Sequence, residues 1–215
     1  MTQVPKAKKS AQARNPAATQ ERILVAATKQ FAHLGFDGAR VDRIAEEAAI
    51  NKQMLYHYFG DKDELFTAVL ERAYADIRSK EAALELDPLP ADQAILKLVE
   101  FTWNYYLSKP DFIRLLNSEN QLEARHLKAS RKTRPINTGH LELAKKLLAR
   151  GVKEGNVRKD LDPMQLHVNI AALGFFYLMN RHTLSTVFER DLSSRAMLRK
   201  RLGVMKDMLA RWIRP

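Results

Sequence analysis

Apolar positions recur along this chain with the period of a helix, and the breaks between the runs mark out its elements. Val41, Ile44, Ala45 and Ala48 share one helix face, and Leu55, Tyr58 and Phe59 resume the spacing after a short gap. Two short amphipathic helices therefore meet across a tight turn, with Asn51 placed to cap the second through its side-chain oxygen. Upstream, Ile23, Ala26, Ala27, Phe31 and Leu34 form a stripe from Pro16 to Leu34. Gly35 is placed to end that helix in left-handed backbone with Phe36 folded back on it, and Gly38 makes the next turn. Downstream, Asp61 is the cap of a fourth helix beginning at Lys62, whose first half packs under the preceding pair through Leu65, Phe66, Val69 and Leu70. Its second half, residues 73–85, is polar and reads as an exposed connector, broken by Pro88 and Pro90.

Residues 91–108 are apolar on nearly every side, which predicts burial on more than one face. Lys109-Pro110 restarts the chain, and Phe112, Ile113, Leu115 and Leu116 lead to a polar patch at 117–120. That patch is either a helix end meeting solvent or the rim of a ligand cavity beside an aromatic wall. An amphipathic helix follows over 136–154, closed by Gly155. Asp162-Pro163 then starts another, running to about Val187, and the last spans about 192–213. The apolar stretch 170–179 is far shorter than the roughly 20 residues a membrane span needs. Gly174 within it costs about 1 kcal/mol relative to alanine, which fits a close helix contact. The expectation is an all-α protein of about nine helices.

The N-terminal 15 residues are basic and without periodicity, and read as a disordered arm that is either a solvated tail or a salt-dependent DNA contact. They lack the apolar region of a signal peptide. Cysteine is absent, which excludes disulfides, thiolate metal sites and cysteine nucleophiles. His126, His140, His167 and His182 are isolated in sequence, so no metal ligation is expected. No Gly-rich phosphate loop, HExxH or GxSxG is present, so neither a cofactor nor a reaction is indicated.

A net charge of +11 invites a nucleic-acid reading, but its distribution weakens that inference. Residues 1–72 carry a net +2 and 73–124 a net −4, whereas 125–188 carry +8 and 189–215 carry +5. The DNA reading rests on the paired helices instead. Two short helices across a turn of this length describe a helix-turn-helix, whose second helix enters the major groove. Its exposed face carries Lys52, Gln53, Tyr56 and His57, groups that donate to phosphates and base edges. The run 125–134, with five Lys/Arg and no acid, is either a solvated face or a mouth attracting an anionic effector.

The segment NKQMLYHYFGDKDELFTAVL, preceded by ERILVAATKQFAHLGFDGARV, resembles the DNA-binding domain of the tetracycline-repressor (TetR) family of bacterial transcription regulators. The likeness covers about Thr19 to Leu70, and LYHYF followed by Lys62 and Leu65 is its most specific part. Ala49 stands where the family's turn commonly has glycine. Gln53 and Met54 replace a frequent Gly-Thr pair, and Arg40 and Val41 replace small hydroxyl residues. The fold is unaffected by these departures, but they put the bases read in question.

The resemblance implies a DNA-binding domain over 16–72 and an effector-binding, dimerising domain over 73–215, in a cytoplasmic homodimer on a palindromic operator. DNA candidates are Thr19, Arg40, Arg43, Lys52, Gln53, Met54, Tyr56, His57, Tyr58 and Lys62. Candidates for the effector are Phe101, Trp103, Tyr106, Phe112, Asn117, Asn120, Phe175 and Phe176. Ile170, Gly174, Leu178, Leu198, Leu202, Met205 and Leu209 are expected to pair the last two helices across the dimer axis, or else to complete the monomer core. A repressor released by a small molecule is the leading reading. The other is a DNA-binding regulator or architectural protein without small-molecule control.

Overall fold

A computed structural model describes residues 15–215, apart from the side chains of Arg134 and Ile136. The described residues form ten helices and no strand. They are α1 Pro16–Gly38, α2 Val41–Glu47, α3 Lys52–Phe59, α4 Lys62–Ala82, α5 Ala91–Ser108, α6 Pro110–Gln121, α7 Arg125–Ala129, α8 Thr133–Glu154, α9 Pro163–Val187 and α10 Arg195–Ile213. The all-α expectation holds. One more helix than expected comes from α7, a single turn inside the basic run. None of the described helices is long and apolar enough to cross a membrane. The arm expected over 1–15 lies outside the described residues except for Asn15, whose side chain accepts from the backbone N–H groups of Ala17 and Ala18 and caps α1.

Two apolar cores organise the helices. The first is built by α1, α2, α3 and the start of α4 around Ile23, Phe31, Ile44, Leu55, Leu65 and Phe66, all fully buried. Phe66 lies against Phe31 and Phe36, with ring centroids 4.7 and 5.3 Å apart. Gly35 kinks α1 with φ 71° and ψ 178°, a region essentially restricted to glycine, and this folds Phe36 back into the core. The second core surrounds α5, which packs against α8, α9 and α10 through Ile95, Val99, Trp103, Leu166, Met205 and Ile213.

The second half of α4 departs from its sequence reading. Instead of an exposed connector, Ile77 and Glu81 are buried, and this half packs against α8. Glu81 tolerates burial because Arg78 and His140 pair with it there. Polar composition alone could not reveal this.

Between the two cores sit α6 and α7. Leu115 of α6 joins the first core, and the Phe36 N–H donates to Ser118 Oγ at 3.2 Å. Glu119, 1% exposed, accepts from the N–H groups of His126 and Leu127 at 2.8 and 2.9 Å and so caps α7, whose own N-cap residue Ala124 supplies no side-chain bond. His126 Nδ1 lies 2.7 Å from the second Glu119 oxygen, and its ring is 4.8 Å from both Phe36 and Phe66.

The residues expected to pair across a dimer axis, or else to complete the monomer core, pack against the core of the single chain. Ile170, Leu178, Met205 and Leu209 are buried within the single chain, and Leu198 and Leu202 pack half-buried against the same core. A Cβ at Gly174 would lie 3.3 Å from the Tyr106 ring, so the close contact is to α5. The outer surface of α9 and α10 instead exposes Phe176, Val187, Phe188, Val204 and Met208. Both sides of these helices are apolar, and periodicity does not say which side the monomer covers.

Three substitutions test these backbone and packing features. Ala49 has φ 53°, a left-handed conformation that costs a non-glycine residue about 1 kcal/mol, so Ala49→Gly is expected to stabilise the protein by about that amount. Within α8, Gly151→Ala would place a Cβ 2.3 Å from Val157 Cγ2, and overpacking should outweigh helix propensity to leave a loss of about 1–2 kcal/mol. Gly139→Ala meets nothing within 4 Å and should gain about 0.5–1 kcal/mol. Urea unfolding at fixed protein concentration reads all three.

Candidate nucleic-acid interface and effector cavity

The reader helix α3 is held by one cap and one anchor. Asn51 Oδ1 accepts from the Met54 N–H at 2.7 Å, and Leu55 is fully buried beneath. With that face pinned, Lys52, Gln53, Tyr56 and His57 are all exposed on the other, while Met54 and Tyr58 are half-buried at its edges. Lys52 Nζ is 2.9 Å from Asp42 Oδ1 and 5.8 Å from the centre of the Tyr56 ring. The Lys52 ammonium holds the Asp42 carboxyl below its ordinary pKa. Arg43 pairs with Glu46 at 2.9 Å, and Arg40 is exposed at the start of α2 without a capping bond.

Lys62 and Thr19 are more constrained. Lys62 Nζ donates to the Asp37 carbonyl at 3.3 Å and lies 4.8 Å over the Phe36 ring, which fixes the start of α4 against the end of α1. Buried Thr19 donates from its hydroxyl to the Asn15 carbonyl. Arg22, a neighbour of these candidates, donates from Nε to the Ala48 carbonyl at the end of α2. Sequence spacing found the exposed face of α3 because a two-turn helix with one buried anchor leaves little choice.

Beneath the reader, α4, α5, α6, α8 and α9 line an open cavity of about 770 Å³. Tyr106, Phe112, Asn120 and Phe175 line it, among the eight expected effector contacts. The other four lie elsewhere. Trp103 is buried in the core against Tyr177, and Phe101 packs on Tyr105. Asn117 is half-buried outside the lining, and Phe176 is 60% exposed on the outer side of α9. A smaller groove of about 380 Å³ lies between α1, α4 and the α5–α6 junction.

The polar wall of the larger cavity went unseen in the sequence. Arg78 donates from Nη1 to Glu81, Glu81 meets His140 Nδ1, and His140 Nε2 meets His167 Nδ1. The two imidazole rings stand 4.3 Å apart at 75°. Burial, and then the neighbouring His140 and Arg78, push the His167 pKa down to about 4. Burial raises that of the Tyr106 hydroxyl to about 12. Only the Arg78–Glu81 spacing of three on one helix was a local signal. The histidines come from helices 27 residues apart. Among the described residues no group of three or more His, Cys, Asp or Glu side chains is arranged to hold a metal ion. His140 itself spends both ring nitrogens within the chain.

Among the described side chains of the basic run, none lines this cavity. Arg125 pairs with Asp63 at 3.0 Å and lies over Phe36, and Lys132 pairs with Glu71 at 3.1 Å, so these two brace α4.

Known proteins share this fold. The sequence model described as bacterial regulatory proteins, tetR family, matches residues 23–69, and the tetracyclin repressor-like C-terminal domain matches 92–209. The chain is 35% identical over 196 residues to the HTH-type transcriptional repressor NicS of Pseudomonas putida, covering 91% of this chain and 92% of that one. In structure it is similar to the transcriptional regulator SCO4942 from Streptomyces coelicolor, with a TM-score of 0.69 at 24% identity over 92% of this chain and 99% of that one. It is also similar to FadR from Bacillus subtilis in complex with stearoyl-CoA, with a TM-score of 0.63 at 18% identity over 86% and 96% of the two chains. The helix-turn-helix, the helical body beneath it and these matches over nearly its whole length place the chain in the tetracycline-repressor (TetR) family of bacterial transcription regulators.

Proposed function

We propose that this regulator is a cytoplasmic homodimeric repressor, and not an enzyme, that binds a palindromic operator through α3 and leaves it when a small molecule enters the 770 Å³ cavity. Residues 16–72 act as the reader and 73–215 as the sensing and dimerising body. The similarity to NicS, a transcriptional repressor, supports the direction of control, and the stearoyl-CoA complex of FadR supports a body that takes a ligand. The exposed apolar surface of α9 and α10, around Phe176, Val204 and Met208, supports pairing of two chains there.

The observation that carries the control mechanism is the two-sidedness of α6. Phe112, Leu116 and Asn120, spaced one turn apart, line the cavity. Leu115, Ser118 and Glu119, on the other side, hold α1, α7 and the reader core. A ligand that displaces α6 therefore moves the reader, and thereby changes the spacing of two readers in a dimer. Release needs only that the ligand prefer the spacing the operator rejects.

The test is selection and sequencing of genomic DNA fragments bound by the full-length protein at two salt concentrations. A palindrome surviving the higher salt, with half-site centres about 34–36 Å apart or a multiple, is expected. Binding without sequence preference that vanishes with salt would instead favour an architectural protein. On the selected operator, Gln53→Ala should cost about 1–3 kcal/mol and relax specificity at one position. Lys62→Gln should weaken binding to all sequences alike and lower the salt slope by about one. Titration of each variant against operator and mismatched duplexes separates the two patterns.

A further inference from the structure

The charge of the reader runs against its task. Residues 15–72 hold seven Lys/Arg and nine Asp/Glu, an excess of acid in a domain that approaches a polyanion. All of those cations except Arg40 have a partner within the chain. The shape of α2 gives the reason. Seven residues long, with Ile44 and Ala45 buried and no side-chain cap at Arg40, it has little of its own to fix its direction. Polar contacts do so instead. Arg22 Nε donates to the Ala48 carbonyl at 3.2 Å and Lys29 pairs with Glu47 at 3.1 Å, which ties the end of α2 to α1. At the start of α2, Asp42 Oδ1 takes the Lys52 ammonium at 2.9 Å, and this ion pair joins α2 to α3. The same ammonium lies 5.8 Å from the centre of the Tyr56 ring, one turn along α3. The hydrogen bond to Lys52 lowers the Asp42 pKa, and the same bond raises that of Lys52.

We propose that Asp42 and Lys52 are positioning residues for operator binding: Lys52 gives its charge to Asp42 and not to a DNA phosphate, and the pair sets the angle of α3 against α2. This rests on the reading of α3 as the helix that enters the operator, and it departs from the expectation that Lys52 meets phosphate. The two roles of Lys52 differ in sign at Asp42. If Lys52 served phosphate, Asp42 would compete with DNA for it, and removing the acid would tighten binding to every duplex. As a strap, Asp42 is needed where α3 must enter the groove at one angle so that Gln53, Tyr56 and His57 reach their partners together. A duplex held through its backbone alone makes no such demand, and there the lost negative charge only helps. One substitution therefore moves the two affinities in opposite directions.

Fluorescence anisotropy of the full-length protein with the selected operator and a scrambled duplex of the same length tests this. Asp42→Asn is expected to weaken operator binding about two- to fivefold, the range an exposed ion pair supports, and to tighten binding to the scrambled duplex about twofold or more. Asp42→Glu, which keeps the carboxylate, should lose less on the operator than Asp42→Asn. Lys52→Gln should weaken operator binding in the wild-type chain but cost little once Asp42→Asn is in place, because the strap is already gone. Thermal melting of each variant checks folding. Unchanged or tighter operator binding by Asp42→Asn, or a Lys52→Gln loss just as large in the Asp42→Asn background, would overturn the proposal, since Lys52 would then act on DNA without its partner. A scrambled duplex bound as tightly as any selected fragment would mean that there is no operator, and would sink the regulator reading and this one together. A true operator bound more tightly by Asp42→Asn would overturn this one alone.

Discussion

One buried carboxylate, Glu119, sits where the two cores meet. Its oxygens take the N–H groups of His126 and Leu127 and face His126 Nδ1, so a group almost without solvent has its lone pairs satisfied. Removing one partner of such a buried set typically costs about 3–5 kcal/mol, because the other is left uncompensated. The same His126 ring packs against both Phe36 and Phe66 of the reader core. Polar and aromatic contacts here join α6 and α7 to the reader core, beside the Phe36–Ser118 bond, the Arg125–Asp63 pair and the continuous helix α4.

That location explains why α6 can transmit. It is a short helix with the cavity on one side and these contacts on the other, so neither side repacks without the other. Packed interfaces have discrete arrangements and do not deform continuously, which turns a small displacement beside Phe112 or Leu116 into a change of register at α1. The rigidity of α5, packed on three long helices, gives α6 something to move against.

A second buried polar set, Arg78–Glu81–His140–His167, works differently. Arg78, His140 and His167 lie on the cavity wall, and the buried Arg78 Nε has no hydrogen-bond partner within the chain. Buried polar groups of this kind are costly when alone and selective when matched. The first polar set sits between the two cores; the second set puts charged and titratable groups on the cavity wall. Both use histidines that the sequence scatters among polar or basic stretches.

The local elements of this protein were written in its sequence. Asn51, Asp61 and Asp162 cap the helices they were expected to cap, Gly35 makes its left-handed kink, and Leu55 buries the inner face of α3, all through interactions within a few residues. Helix periodicity likewise placed Lys52, Gln53, Tyr56 and His57 on one exposed face. What required the tertiary structure was every choice between two apolar or two polar sides. It put Trp103 in the core and Phe112 at the cavity, turned Met205 inward and Met208 outward, and buried Glu81 and Glu119 although their neighbours in sequence are polar. The reason is that caps and periodicity act over one or two turns of helix. Which face is covered, and whether a charge finds its partner, depends on helices that meet from 27 to more than 60 residues away.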